Sequence, residues 1–136
     1  MKTELLAAVA ALSLAGPALA SGDAAKGESD FKKCKACHMI VADDGTEIQK
    51  GGKTGPNLYG VVGRAAGATD FKYSDVMKEA GEKGLVWDEE NLAEYLPDPS
   101  KFLEEFSGDA AGKSKMTFKL TKGAEDMAAY LASAGQ

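Results

Sequence analysis

Two cysteines and one histidine, gathered within five residues, constrain this chain more than any other feature. Cys34-Lys35-Ala36-Cys37-His38 contains every cysteine and the only histidine of the 136 residues. In a C-x-x-C-H segment two thiols can add across the two vinyl groups of a haem, and the adjoining imidazole then lies under the iron. Three other readings of the pair are weaker. A thioredoxin-like redox pair needs a βαβ context, and the residues before Cys34 read as helix, with no alternating or β-branched run. A structural zinc site needs four ligands, usually Cys and His, and would have to recruit carboxylates. A disulfide across so short a loop would stabilise little, because its effect grows with loop length. One covalently attached haem is the expectation, with Cys34 and Cys37 as thioether positions and His38 as an axial ligand.

The other axial position calls for a soft donor such as a thioether. Beyond residue 20 the candidates are Met39, Met77, Met116 and Met127. Met39 adjoins His38 and cannot reach the opposite face. Met77 and Met127 sit in helical stretches, where a core role is the default. Met116 lies in the irregular segment Lys113–Phe118, and a loop can deliver a side chain to a metal from outside the helical frame. Met116 is the expected ligand. Against it stands a loop methionine that fills a gap in the core.

The first twenty residues differ from the rest. A weakly positive start is followed by an apolar run from Leu5 to Leu14, a break at Gly16-Pro17, and Ala18-Leu19-Ala20. This is the layout of a secretory signal, with cleavage expected after Ala20 and a domain at 21–136. The run is short for a membrane span, so an uncleaved anchor is the lesser reading. The formal net charge is −5, which disfavours nucleic acid as a partner. The charge is unevenly spread. Phe31–Ala42 holds three lysines and no acid, and Ala110–Ala124 holds Lys113, Lys115, Lys119 and Lys122 and no acid. Asp75–Glu105 is strongly acidic. A positive face around the haem would steer an acidic partner. Solvated lysines without a partner are the plainer reading.

The pattern is all-α. Asp23 is placed to cap a helix running towards Cys34, with Gly27 and Phe31 one turn apart on one face. Val41–Gly67 is rich in glycine and without period, and reads as a long loop around the haem edge. Ser74 and Asp75 open a helix ending near Gly81 or Gly84. Asp88 caps another, with Glu89 and Glu90 in its first turn and Leu92, Tyr95 and Leu96 inward. Pro97 and Pro99 end it. Thr121 is the expected cap of a last helix carrying Ala124, Met127 and Leu131, flanked by Tyr130. No strands are evident.

Over essentially all of residues 22–131 the chain resembles the class I cytochromes c, and most of all the cytochrome c2 group of purple bacteria. The likeness rests on Gly22-Asp-Ala-Ala-Lys-Gly27, the Cys34–His38 motif, Lys53-Thr-Gly-Pro-Asn-Leu58, Gly60-Val-Val-Gly-Arg64, Phe71-Lys-Tyr-Ser-Asp75, Leu85-Val-Trp87, Glu94-Tyr-Leu96 and Ala128-Ala-Tyr-Leu131. It implies a cytochrome c fold of about four to five helices, with long loops wrapped around one haem c. It implies that the Pro56 carbonyl accepts a hydrogen bond from the axial histidine. Arg64, Tyr73 and Trp87 would face the haem propionates, and Tyr95 the methionine sulfur. Gly27, Phe31 and Tyr130 would form the crossing of the first and last helices. Extra length around Asp43–Gly52 and between Leu103 and Met116 departs from the short mitochondrial pattern. The second insertion leaves the register of Met116 less firmly set.

The implied function is one-electron transfer by a periplasmic mono-haem carrier. Its donor would be a cytochrome bc1 complex, and its acceptor a photosynthetic reaction centre or terminal oxidase. With both axial positions filled, no enzyme activity is expected. Neither membrane insertion nor an oligomer is expected. Two other classes compete: a haem enzyme or gas sensor with a labile Met116, and a thiol–disulfide oxidoreductase built on Cys34 and Cys37.

Overall fold

The computed structural model describes residues 22–135. The expected signal segment, residues 1–20, lies outside them. Five helices and one small hairpin follow in order: α1 Ala24–Asp30, β1 Ile40–Val41, β2 Glu47–Gln49, α2 Asp75–Glu82, α3 Glu89–Tyr95, α4 Pro99–Ser107 and α5 Ala124–Ala134. The fold is the mostly helical one expected from the sequence.

Local chemistry sets most of the starts. The Asp23 carboxylate accepts from the Ala25 and Lys26 amides and caps α1, a contribution of about 1 kcal/mol. Beyond Asp30 the chain tightens into a 3-10 turn, Phe31–Lys33. The helix therefore stops short of the cysteines, and the tighter turn leads into them. Ser74 caps α2. Asp88 and Asn91 form a reciprocal capping box on α3.

Three expectations change. The run after Ile40 is not wholly irregular: β1 and β2 pair antiparallel, Ile40 with Gln49 and Val41 with Glu47, with a slip in register between Ile40 and Val41. Strands this short, with a slip, carry no readable alternation. Next, α4 has no counterpart among the helices placed above. Pro99 does not only end α3. It stands in the first turn of α4, where its missing N–H costs nothing. Asp98 caps that helix, and Gly108, at φ 79°, ends it in the left-handed region. Finally, Thr121 does not cap α5. Gly123, at φ 81°, precedes the helix without a side-chain cap. The nearby Asp126 carboxylate turns instead to the Asp23 amide, at 2.7 Å.

α1 crosses α5, which also packs on α3, while α2 packs on α4. The α1–α5 crossing depends on Gly27. A Cβ there would stand 2.1 Å from the Asp126 carbonyl oxygen and 2.6 Å from Tyr130 Cβ. Phe31 meets Tyr130 edge-on at 5.9 Å, worth about 0.5–1.5 kcal/mol beyond burial. The Tyr130 hydroxyl accepts from Gln49 Nε2 at 2.9 Å, tying the hairpin to α5. Phe31, Ile40, Leu103 and Met127 are fully shielded from solvent. Each such side chain contributes about 1.5–3 kcal/mol. Among the described residues, no helix is long and apolar enough to cross a membrane.

Candidate haem site

The C-x-x-C-H segment folds as a compact turn. The Cys34 amide donates to the Phe31 carbonyl at 2.8 Å, and the Cys37 and His38 amides donate to the Cys34 carbonyl at 3.2 and 2.9 Å. Residues 51–56 run against it, with Gly52 N–H donating to Lys35 O and Gly55 N–H to Cys37 O, both at 2.8 Å. The approach leaves no room for side chains. A Cβ on Gly51 would stand 1.7 Å from the His38 carbonyl oxygen, and one on Gly55 would stand 2.4 Å from the His38 ring.

That loop also orients the imidazole. His38 Nδ1 lies 2.8 Å from the Pro56 carbonyl oxygen. A carbonyl can only accept, so Nδ1 carries the proton and Nε2 keeps its lone pair. Burial holds the His38 pKa below its ordinary value, against the opposing effect of the Pro56 carbonyl. The ring is therefore neutral at physiological pH, as metal ligation requires. Burial likewise pushes the Cys34 thiol up to about 11. A reactive redox pair requires the reverse, a depressed thiol pKa.

His38 opens onto a cavity of about 350 Å³ whose walls are largely apolar, built from Leu58, Val61, Leu92, Leu96, Met127 and Leu131 among others. The nine residues expected at the haem (Cys34, Cys37, His38, Pro56, Arg64, Tyr73, Trp87, Tyr95 and Met116) all line this one cavity. Cys34 is half-buried and Cys37 exposed, with no disulfide between them. Met116 enters from the segment between α4 and α5. The buried Tyr95 hydroxyl points at its sulfur, at 3.7 Å. Burial raises the Tyr95 pKa, partly offset by the neighbouring Ser114 hydroxyl. A protonated phenol is the form that can donate to a thioether.

Arg64 donates to the carbonyl oxygens of Asn57 and Tyr59 at 3.2–3.3 Å. Burial lowers its pKa, and Tyr73 acts in the opposite sense. Among the described residues no carboxylate pairs with it, which leaves a part-buried positive charge at the cavity wall. The Tyr73 hydroxyl shares a 2.5 Å hydrogen bond with Thr69 Oγ1. Trp87 is buried against Tyr95, with ring centroids 4.8 Å apart.

These residues fit a haem: two thiols, a neutral imidazole with Nε2 free, a thioether, and an unpaired guanidinium suited to a carboxylate-bearing edge. Gly55, Thr69 and Ser114 also shape the site, through the His38 ring, the Tyr73 hydroxyl and the Met116 amide respectively. A hydroxyl residue two positions before a candidate ligand signals a local turn, and Ser114 meets that description. Nothing local marks Thr69.

No family model matches the chain. Cytochrome c2 of Rhodobacter capsulatus is 61% identical over 135 residues, covering 98% of this chain and 98% of that protein. Cytochrome c-550 of Paracoccus versutus is 58% identical over 136 residues, covering 97% of this chain and 88% of that protein. The solved structure of the Rhodobacter capsulatus cytochrome c2 superposes with a TM-score of 0.83 at 59% identity, over 85% of this chain and 100% of that one.

Proposed function

The chain belongs to the cytochrome c2 group of the class I c-type cytochromes, and we propose that it shuttles single electrons in the periplasm from a cytochrome bc1 complex to a photosynthetic reaction centre or terminal oxidase. It is an electron-transfer protein with one covalently attached haem c, not an enzyme. The reading includes export with cleavage after Ala20, a domain at 21–136, and a monomeric product.

The observation that carries the site assignment is the gathering of both thiols, His38 and Met116 around one cavity. In this reading Cys34 and Cys37 would hold the haem as thioethers, and His38 Nε2 and Met116 Sδ would be its iron ligands. Haem, once bound, supplies an iron that gains and loses one electron. The surrounding residues would hold these ligand side chains in place whichever charge the iron carried. The Pro56 carbonyl fixes the imidazole plane. Tyr95 holds a donor towards the sulfur. Arg64, Tyr73 and Trp87 would meet the haem's carboxylate-bearing edge, where the guanidinium would offset negative charge. Few atoms then move as the charge changes.

A partner surface is supported where the cavity reaches solvent. Phe118 is 43% exposed there, and Lys115 lines the same opening. Lys32, Lys35, Lys115 and Lys122 make no ion pair among the described residues, whereas Lys33, Lys113 and Lys119 do. An apolar contact beside Lys115, which makes no ion pair, suits a brief encounter with an acidic surface.

Visible spectra of the purified holoprotein, oxidised and reduced, with and without carbon monoxide, test the ligand set. A low-spin c-type spectrum that ignores carbon monoxide is expected. A spectrum that carbon monoxide shifts would give the lead to a sensor or enzyme. Partner choice is tested by stopped-flow reduction by a bc1 complex and oxidation by a reaction centre or oxidase. Rates should fall steeply with salt, and salt-independent rates would remove the lysine face from the proposal.

A further inference from the structure

Met116 walls two spaces. One is the haem cavity. The other is a cavity of about 380 Å³ on the α4 side, bounded by Asp98, Ser100, Glu104, Lys113 and Lys119 among others. With room behind it, the side chain is not pressed towards the haem by packing alone. Its position depends on how the segment 113–119 is fastened to α4.

Three fastenings are present. Lys113 pairs with Glu104 at 3.0 Å and Lys119 with Asp98 at 3.2 Å. Both lysines are exposed, so each pair contributes about 0–1 kcal/mol and is screened by salt. The third is neutral and part-buried. The Ser114 amide donates to Ser100 Oγ at 3.0 Å, and Ser114 Oγ accepts from the Met116 amide at 3.1 Å. Ser114 is itself buried. At the other end Ser100 is immobilised, because it sits on the first turn of α4 between Pro99 and Leu103, both fully shielded from solvent.

We infer that Ser100 is a positioning residue for Met116, acting through Ser114 to set how readily the thioether leaves the iron. This rests on Met116 being the sixth ligand. It differs from the ligand assignment in placing control of that bond on α4, outside the cavity. Of the three fastenings only this one is insensitive to salt, and only this one reaches the Met116 backbone.

The test uses the haem-loaded, oxidised full-length protein with free imidazole as the competing ligand. Apparent imidazole affinity reports the fraction of time Met116 is away from the iron. Ser100→Ala should bind imidazole about fivefold more tightly, or ~1 kcal/mol at 1.4 kcal/mol per tenfold. The difference should persist at high salt, and Ser100→Thr, which keeps the hydroxyl, should restore parental affinity. Unchanged affinity in Ser100→Ala, or a rise that Ser100→Thr leaves in place, overturns the inference. Met116→Ala separates the two levels. If it binds imidazole no better than the parent, the ligand assignment fails and the role of Ser100 fails with it. If Met116→Ala binds tightly while Ser100→Ala matches the parent, only the role of Ser100 is lost.

Discussion

His38 Nδ1 stands 2.8 Å from the carbonyl oxygen of Pro56, and Gly55, one residue earlier, lies flat against the same ring. The contact that orients the imidazole and the glycine that makes room for it are consecutive residues. Gly55→Ala must therefore move the ring or the loop, since the new Cβ would fall 2.4–2.9 Å from three ring atoms. Chemical denaturation should show a loss of about 1–3 kcal/mol, the usual cost of overpacking. A reduction potential different from the parent should accompany it. Parental values of both would mean that the loop yields freely and does not orient His38.

Tyr95→Phe removes the hydroxyl aimed at Met116 Sδ and keeps the buried ring. A donor at the sulfur draws electron density from it and disfavours the oxidised iron, so its removal should lower the reduction potential. A hydrogen bond of about 0.5–1 kcal/mol corresponds to roughly 20–40 mV for one electron. Voltammetry of the two proteins decides it, and a higher potential in the variant would reverse the assigned polarity.

The acid limb of stability should depend on Asp98. Its carboxylate is held below the ordinary 3.8, first by the Lys101 amide it caps and then by Lys119. A depressed pKa means that the folded state favours the charged form. The stabilisation is complete above pH 3.8 and is lost as pH falls through the lower folded value. Asp98→Asn keeps a capping oxygen without the titration. Its stability should fall less steeply than the parent's below about pH 4, as measured by urea midpoints across that range. Superimposable acid limbs would show that Asp98 is not among the groups responsible.

Gly27→Ala should separate α1 from α5. The nearest obstacle is a backbone carbonyl at 2.1 Å, which cannot rotate away as a side-chain tip can. A loss of about 3 kcal/mol is expected, and hence a fall in Tm of roughly 10 °C or more. Thermal unfolding followed by circular dichroism measures it. An unchanged Tm would mean that the helices part without penalty.

Features encoded by neighbouring residues were readable from the sequence. The C-x-x-C-H spacing pointed to the cavity, and Ser74 and Asp88 marked the starts of α2 and α3, because a cap is a bond between residues two or three apart. The preference for Met116 over Met77 and Met127 rests on the contrast between loop and helix, and all three methionines line the cavity. What was missed depends on distant partners or on ambiguous residues. Pro99 can stop one helix or start the next; the Asp98 carboxylate on the Lys101 amide and the burial of Pro99 and Leu103 show that it starts α4. Thr121 looked like a cap, but Asp126 bonds to Asp23, 103 residues away. The hairpin is held partly by Asn57, whose side chain bonds both the N–H and the C=O of Val41. That bridge spans 16 residues, and no periodicity reveals it.

The crossing of α1 and α5 also brings the two ends of the fold onto one cavity. α1 leads directly into Cys34–His38, while Met127 and Leu131 of α5 complete the wall of the same cavity. The attachment points follow the first helix of the chain, just beyond its 3-10 turn, and the closing wall lies on the last helix. Until α5 docks, the face bearing Gly27 and Phe31 has no partner, and the side of the pocket that α5 closes stays open. Closing a loop of this length adds little further entropy cost over a shorter one, because that cost grows only logarithmically. Docking of the last helix then converts a tethered chain into an enclosed one.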